Sequence, residues 1–106
     1  MEFSTLDYHV QTGIGTITFQ KPDKLNPISE TFLLELEKVL CEAGRDPEVR
    51  VLVLTGAGRA FSAGGDLGDL RPGFDGVGGF VQHMELVNRS ILALLDFEKP
   101  VIAAVN

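Results

Sequence analysis

Val51-Leu52-Val53-Leu54-Thr55-Gly56-Ala57-Gly58-Arg59-Ala60-Phe61-Ser62-Ala63-Gly64-Gly65-Asp66-Leu67 is the stretch on which the fold turns. Its first four residues are apolar, rich in β-branched side chains, and show no alternation with polar ones. Such a run predicts a strand covered on both faces, as in a parallel sheet. The glycine-rich segment that follows then sits past the carboxyl end of that strand. Open α/β sheets bind their ligands there.

Working outward toward the start of the chain, Ser29 is a helix N-cap with Glu30 in the first turn, where the helix dipole favours an acid. Phe32, Leu33, Leu36, Val39, Leu40 and Ala43 fall on one face of the helix, and Gly44 and Pro47 are expected to close it. Before it lies a polar loop, Gln20-Lys21-Pro22-Asp23-Lys24-Leu25-Asn26-Pro27, in which two prolines forbid a regular element. Ile14 to Phe19 read as a strand, with Phe3 to Val10 as an antiparallel partner across a Gln11-Thr12-Gly13 turn.

Toward the other end, the stretch from Gly56 to Gly79 is loop-like. Phe80, Met84, Val87, Ile91 and Leu94 then recur at spacings of four and three and predict a second amphipathic helix. After Pro100, Val101-Ile102-Ala103-Ala104-Val105 reads as another buried strand. The order strand, helix, strand, helix, strand predicts an α/β fold of βαβ units with right-handed crossovers.

The 106 residues suffice for one domain, 44% of them hydrophobic and 23% charged, an ordinary globular balance. A net charge of −6 gives no electrostatic support for nucleic-acid binding. No apolar run approaches the ~20 residues of a membrane span, and the first residues lack a signal-peptide pattern. The single cysteine, Cys41, excludes an internal disulfide and reads as a reduced, partly packed thiol. Those features point to the cytoplasm or another reducing compartment. His9 and His83 have no spacing for a metal site or a catalytic triad, so no metal is expected.

Several readings of the glycine-rich segment compete. A dinucleotide fingerprint fails at its third glycine, which is Phe61, and a phosphate-binding loop fails for want of a following Gly-Lys-Ser/Thr. A plain glycine-rich turn without a ligand remains open. So does an anion-stabilising turn: small residues at Ser62, Ala63, Gly64 and Gly65 admit a ligand close to the backbone, and N–H groups there can hold an oxyanion.

Ala60-Phe61-Ser62-Ala63-Gly64-Gly65-Asp66-Leu67 resembles the first oxyanion-hole motif of the crotonase (enoyl-CoA hydratase/isomerase) superfamily. Val51 to Gly56, the loop Lys21 to Pro27, and the closing Lys99-Pro100-Val101-Ile102-Ala103-Ala104-Val105-Asn106 resemble it too. The resemblance covers the whole chain and implies the N-terminal part of a crotonase-like ββα-type spiral domain. It implies that the Gly65 N–H is one of two donors to a thioester oxygen. The substrate-binding residues it implies are Lys24, Leu25, Ala63, Gly64, Asp66, Leu67, Leu70 and Phe74. Lys24, Leu25 and Ala63 would meet coenzyme A. Asp66 would fix the turn, and Leu70, Phe74, Val77 and Phe80 would wall the acyl group.

No separate cofactor is implied, coenzyme A being part of the acyl-CoA substrate. Assembly as a trimer or dimer of trimers is implied as well. The second glycine donor and the glutamates that move protons would follow Asn106. Glu85, on a helix's polar side, and Glu98, in its exit loop, are assigned no catalytic role. Hydration of a 2-enoyl-CoA is the first expectation and double-bond isomerisation the second. A reading of a different class is a non-catalytic module that buries its open sheet edge against a partner.

Overall fold

The computed structural model of the chain describes residues 2–65 and 76–106. Strands β1 (Leu6–Gln11), β2 (Ile14–Phe19), β4 (Val51–Gly56) and β6 (Val101–Ala104) form one sheet in the order β1-β2-β4-β6. Helix α1 (Glu30–Arg45) links β2 to β4, and α2 (Gly76–Leu95) lies between β4 and β6. Two-residue strands β3 (Pro27–Ile28) and β5 (Gly64–Gly65) pair separately.

β1 and β2 are antiparallel, with Gln11 opposite Ile14. Thr12 and Gly13 between them both have positive φ, 55° and 83°, as a two-residue type I′ hairpin requires. β2, β4 and β6 are mutually parallel. The α/β alternation expected from the sequence is therefore present, and β1 starts at Leu6 rather than Phe3.

In α1, the Ser29 Oγ accepts the Phe32 N–H at 3.1 Å, closing one of the orphan donors of the first turn. Phe32, Leu33, Leu36, Val39, Leu40 and Ala43 are all buried, the face expected. They pack with Ile17, Phe19, Leu52 and Leu54 of the sheet. The stop differs from expectation. The helix runs through Gly44 to Arg45, and Asp46 is extended at φ −84°, ψ 113°. Pro47 explains this, since a residue before proline is pushed out of the helical region. The Lys99 ammonium then donates to the carbonyls of Ala43 and Asp46, each at 2.7 Å, satisfying the helix end.

α2 departs further from the sequence pattern. Its buried residues are Leu86 and Ser90, with Val87, Ala93 and Leu94 packed against the core. Phe80, Met84 and Ile91, expected on the core side, are 50%, 39% and 50% exposed. Apolar residues surround this helix, so period alone could not select a face. Ser90 enters the core because its hydroxyl donates back to the Leu86 carbonyl at 2.9 Å.

The sheet is also covered differently. Leu52 and Leu54 are buried, but Val51 and Val53 on the other face are only half-buried, and Ile102 on β6 is 53% exposed. Right-handed crossovers that both step the same way along a sheet bring their helices to the same face. The core residues of both helices meet that one face. Among the described residues, helices cover one face of the sheet, where the sequence pattern predicts cover on both.

The segment before β1 is pinned to α1 by Glu35, whose carboxylate accepts from the N–H and hydroxyl of both Ser4 and Thr5. Partial burial alone would raise its pKa, but the bonds from Ser4 and Thr5 outweigh it and hold the carboxyl below its ordinary value. Cys41, expected to be partly packed, is exposed.

Candidate functional site

The site grows from the carboxyl ends of β2 and β4. Gly56 ends β4, and the chain folds back over it so closely that a Cβ there would lie 2.5 Å from the Ala60 carbonyl oxygen and 2.6 Å from that of Phe61. Only glycine permits the fold-back. Phe61 returns the chain to the core, its ring edge-on to Phe19 at a centroid distance of 4.9 Å.

The carbonyls of this turn lie past the strand end and need other partners. Two side-chain amides supply them. Asn26 donates to the carbonyls of Ala57 at 3.0 Å and Ala60 at 2.8 Å. Asn106 donates to those of Gly56 at 2.9 Å and Gly58 at 2.8 Å, and its Oδ1 accepts the Gly56 N–H at 3.3 Å.

The loop 21–28 then forms a mould for residues 62–65. A single 3₁₀ turn, Pro22–Lys24, leads into Leu25 and Asn26, both left-handed at φ 60° and 53°. Asparagine visits that region more readily than most residues, whereas leucine there is strained. The turned backbone presents two successive carbonyls. That of Leu25 accepts the Ala63 N–H at 2.8 Å, and that of Asn26 accepts the Ser62 hydroxyl at 2.8 Å. Pro27 and Ile28 continue in parallel register with Gly64 and Gly65.

Gly64 has φ 99°, outside the range most side chains tolerate, and its N–H donates to Ser62 Oγ at 3.1 Å. Gly65 is exposed. A Cβ built on Gly64 or Gly65 meets no described atom within 4 Å. Among the described residues the backbone here is thus bound on its β3 side and uncovered on the other. Beneath Ser62 and Phe61 lies an apolar cavity of about 220 Å³, walled by Phe19, Phe32 and Leu54 and by Val87, Ile91 and Leu94 of α2.

Of the residues singled out in the sequence, Leu25, Ala63, Gly64 and Gly65 come together at this turn. Lys24 is exposed on the adjoining 3₁₀ turn. Asp66, Leu67, Leu70 and Phe74 lie outside the described residues, as does the side chain of Val77. Glu85 and Glu98 are exposed. A larger hollow of about 640 Å³ beside Leu40, Cys41 and Phe97 shares no residue with the turn. Among the described residues no group of His, Cys, Asp or Glu could hold a metal ion, and no helix is long and apolar enough to cross a membrane.

Sequence reasoning missed three residues. The sequence pattern gives Asn26 and Asn106 no role and marks Ser62 only as a small residue. One signal was available: asparagine beside a proline in a loop that needs left-handed backbone.

Comparison with known proteins decides the family. The family model for enoyl-CoA hydratase/isomerase matches residues 9–106. The chain belongs to the enoyl-CoA hydratase/isomerase family. Over 102 residues it is 37% identical to the 1,2-epoxyphenylacetyl-CoA isomerase of Escherichia coli, covering 92% of this chain and 38% of that protein. It is 32% identical over 108 residues to the trans-2-decenoyl-[acyl-carrier-protein] isomerase of Streptococcus mutans, covering 100% and 41%. Among solved structures, an enoyl-CoA hydratase/isomerase from Xanthobacter autotrophicus Py2 superimposes with a TM-score of 0.93 at 27% identity, covering 99% of this chain and 39% of the other. This member of the family therefore spans about two fifths of the length of the relatives it matches. The resemblance and the mixed α/β fold class read from the sequence both hold.

Proposed function

We propose that this chain carries one donor of an oxyanion-stabilising site that acts on an acyl-CoA thioester, with the Gly65 N–H directed at the thioester oxygen. The observation that carries the reading is the Gly64–Gly65 backbone: paired with β3, bare of side chains, and with no described atom within 4 Å of where a Cβ would stand. A carbonyl oxygen that gains negative charge as an enolate forms is stabilised by N–H groups already in place, because no reorganisation is needed at that moment. Lys24, Leu25 and Ala63 adjoin one another on the same loop pair and would hold the coenzyme A portion. Asp66, Leu67, Leu70 and Phe74 would complete the substrate site. No cofactor beyond the coenzyme A of the substrate enters the scheme, and the reading requires proton-moving glutamates and a second donor that would follow Asn106.

Hydration of a 2-enoyl-CoA is the first reaction to test. Double-bond isomerisation is the second reading, favoured by the relative named as a trans-2-decenoyl-[acyl-carrier-protein] isomerase at 32% identity. The two share the enolate and differ in whether water adds, so product analysis with a 2-enoyl-CoA and a 3-enoyl-CoA separates them. Assembly as a trimer or dimer of trimers in the cytoplasm goes with this reading.

Gly65→Pro removes the N–H, and Gly65→Ala retains it at a position with room for a methyl group. In the full chain, turnover is expected to fall about 10²–10³-fold in Gly65→Pro and little in Gly65→Ala. Equal losses in both, or no acyl-CoA binding by the unaltered protein at millimolar ligand, would overturn the proposal.

A further inference from the structure

We infer that Asn26 and Ser62 are positioning residues for the glycine turn, acting as a two-step relay from the buried loop to the Gly64–Gly65 backbone. The inference rests on the proposed role of Gly65 but concerns residues that role does not assign.

Asn26 is 3% exposed, and every polar group of its side chain is engaged. Its Oδ1 accepts the Lys21 N–H at 2.9 Å, and its two amide hydrogens go to Ala57 and Ala60. One side chain thus joins the 21–26 loop to the 57–60 turn. Its main chain joins a third segment, because the Asn26 carbonyl takes the Ser62 hydroxyl proton. A hydroxyl has one proton. With that proton committed to Asn26, Ser62 Oγ can only accept toward Gly64, and it does so from the Gly64 N–H at 3.1 Å.

Two consequences follow for the turn. The Gly64 N–H is consumed internally and is withdrawn from any ligand. Gly64 is also held at φ 99°, one of the two Gly64 torsions that together orient the next peptide and with it the Gly65 N–H. The strained Leu25–Asn26 pair supplies this arrangement, since left-handed backbone at both turns their carbonyls toward Ser62 and Ala63. Strained backbone persists where the surroundings over-determine it, and here the surroundings are the turn itself.

The test compares Ser62→Ala, Ser62→Thr and Asn26→Asp in the full chain. Ser62→Thr restores the hydroxyl, and its extra methyl can enter the apolar cavity that Ser62 borders. Asn26→Asp keeps the shape but sets a carboxylate oxygen against the Ala57 and Ala60 carbonyls. Two readouts are taken. The first is amide hydrogen exchange and 15N chemical shift at Gly64 and Gly65 without ligand. Ser62→Ala is expected to speed Gly64 exchange at least tenfold and to move both resonances, and Ser62→Thr to return them toward the unaltered values. The second is turnover of an acyl-CoA: kcat is expected to fall 10–100-fold in Ser62→Ala and Asn26→Asp with KM within threefold, and Ser62→Thr to recover most of it. Val39→Ala, a core truncation remote from the turn, controls for lost stability and should leave kcat per folded molecule unchanged.

Unmoved Gly64 and Gly65 amides in Ser62→Ala would overturn the relay whatever the substrate proves to be. So would a Ser62→Thr variant as impaired as Ser62→Ala. If the unaltered protein turns over no thioester, the Gly65 proposal fails alone, and the exchange data still decide the relay.

Discussion

Apolar spacing predicts both helices of this chain, but it marks the buried face fully in α1 and only in part in α2, where Val87 and Leu94 pack on the core while Phe80, Met84 and Ile91 are exposed. In α1 every predicted core residue is buried on one side, and the other side carries Glu30, Thr31, Lys38 and Glu42, with Leu34 among them at 46% exposure. In α2 the apolar residues run round the helix, and Leu92 and Leu95 are 56% and 74% exposed. Hydrophobic periodicity identifies a buried face only by contrast with a polar one. Where the contrast is missing, packing chooses, and here it chose Leu86 and Ser90.

Side-chain truncation should sharpen this contrast most. Leu36→Ala on α1 removes a residue 4% exposed and should cost about 2–5 kcal/mol in chemical denaturation. Leu92→Ala, the same chemical change on the outer side of α2, should stay within about 0.5 kcal/mol. A comparable loss at both positions would mean that α2's outer side is covered in solution. Ser29→Ala, which removes the α1 cap, should cost about 1 kcal/mol by the same measurement.

The smallest effect concerns pH. The Glu35 carboxyl titrates below its ordinary value of 4.5, so the stability it contributes is complete at neutral pH. That contribution falls as pH drops below the ordinary value and is gone once pH has passed the folded-state pKa. Glu35→Gln should therefore flatten the acid limb of the stability profile and leave its alkaline limb alone. A change confined to alkaline pH would contradict the pairing with Ser4 and Thr5.

The legible parts of the fold were those set by local chemistry. Ser29 as a cap, the α1 face and a turn at Gln11-Thr12-Gly13 follow from what neighbouring residues do to one another, while the positive φ at Thr12 and Gly13 is seen only in the structure. The covering of the sheet was not legible. Val51-Leu52-Val53-Leu54 looks the same whether one face or both are covered, and the shared direction of two crossovers is a property of the whole chain. The site divides the same way. The glycines at 64 and 65 were readable as a place of close backbone approach. Asn26 was not, because its bonds to Ala57 and Ala60 span 31 and 34 residues and appear only once the loop and turn are docked.

The most direct test of the thioester site is a titration of the 15N-labelled full chain with an unreactive acyl-CoA thioether or ketone analogue, followed at two adjacent amides. The ketone, whose oxygen can accept a hydrogen bond, should shift the Gly65 resonance strongly downfield in proportion to saturation. The thioether, which lacks that oxygen, should not, and the Gly64 amide should stay with Ser62 in both. A Gly65 resonance that ignores the ketone, or answers both analogues alike, would contradict the assignment.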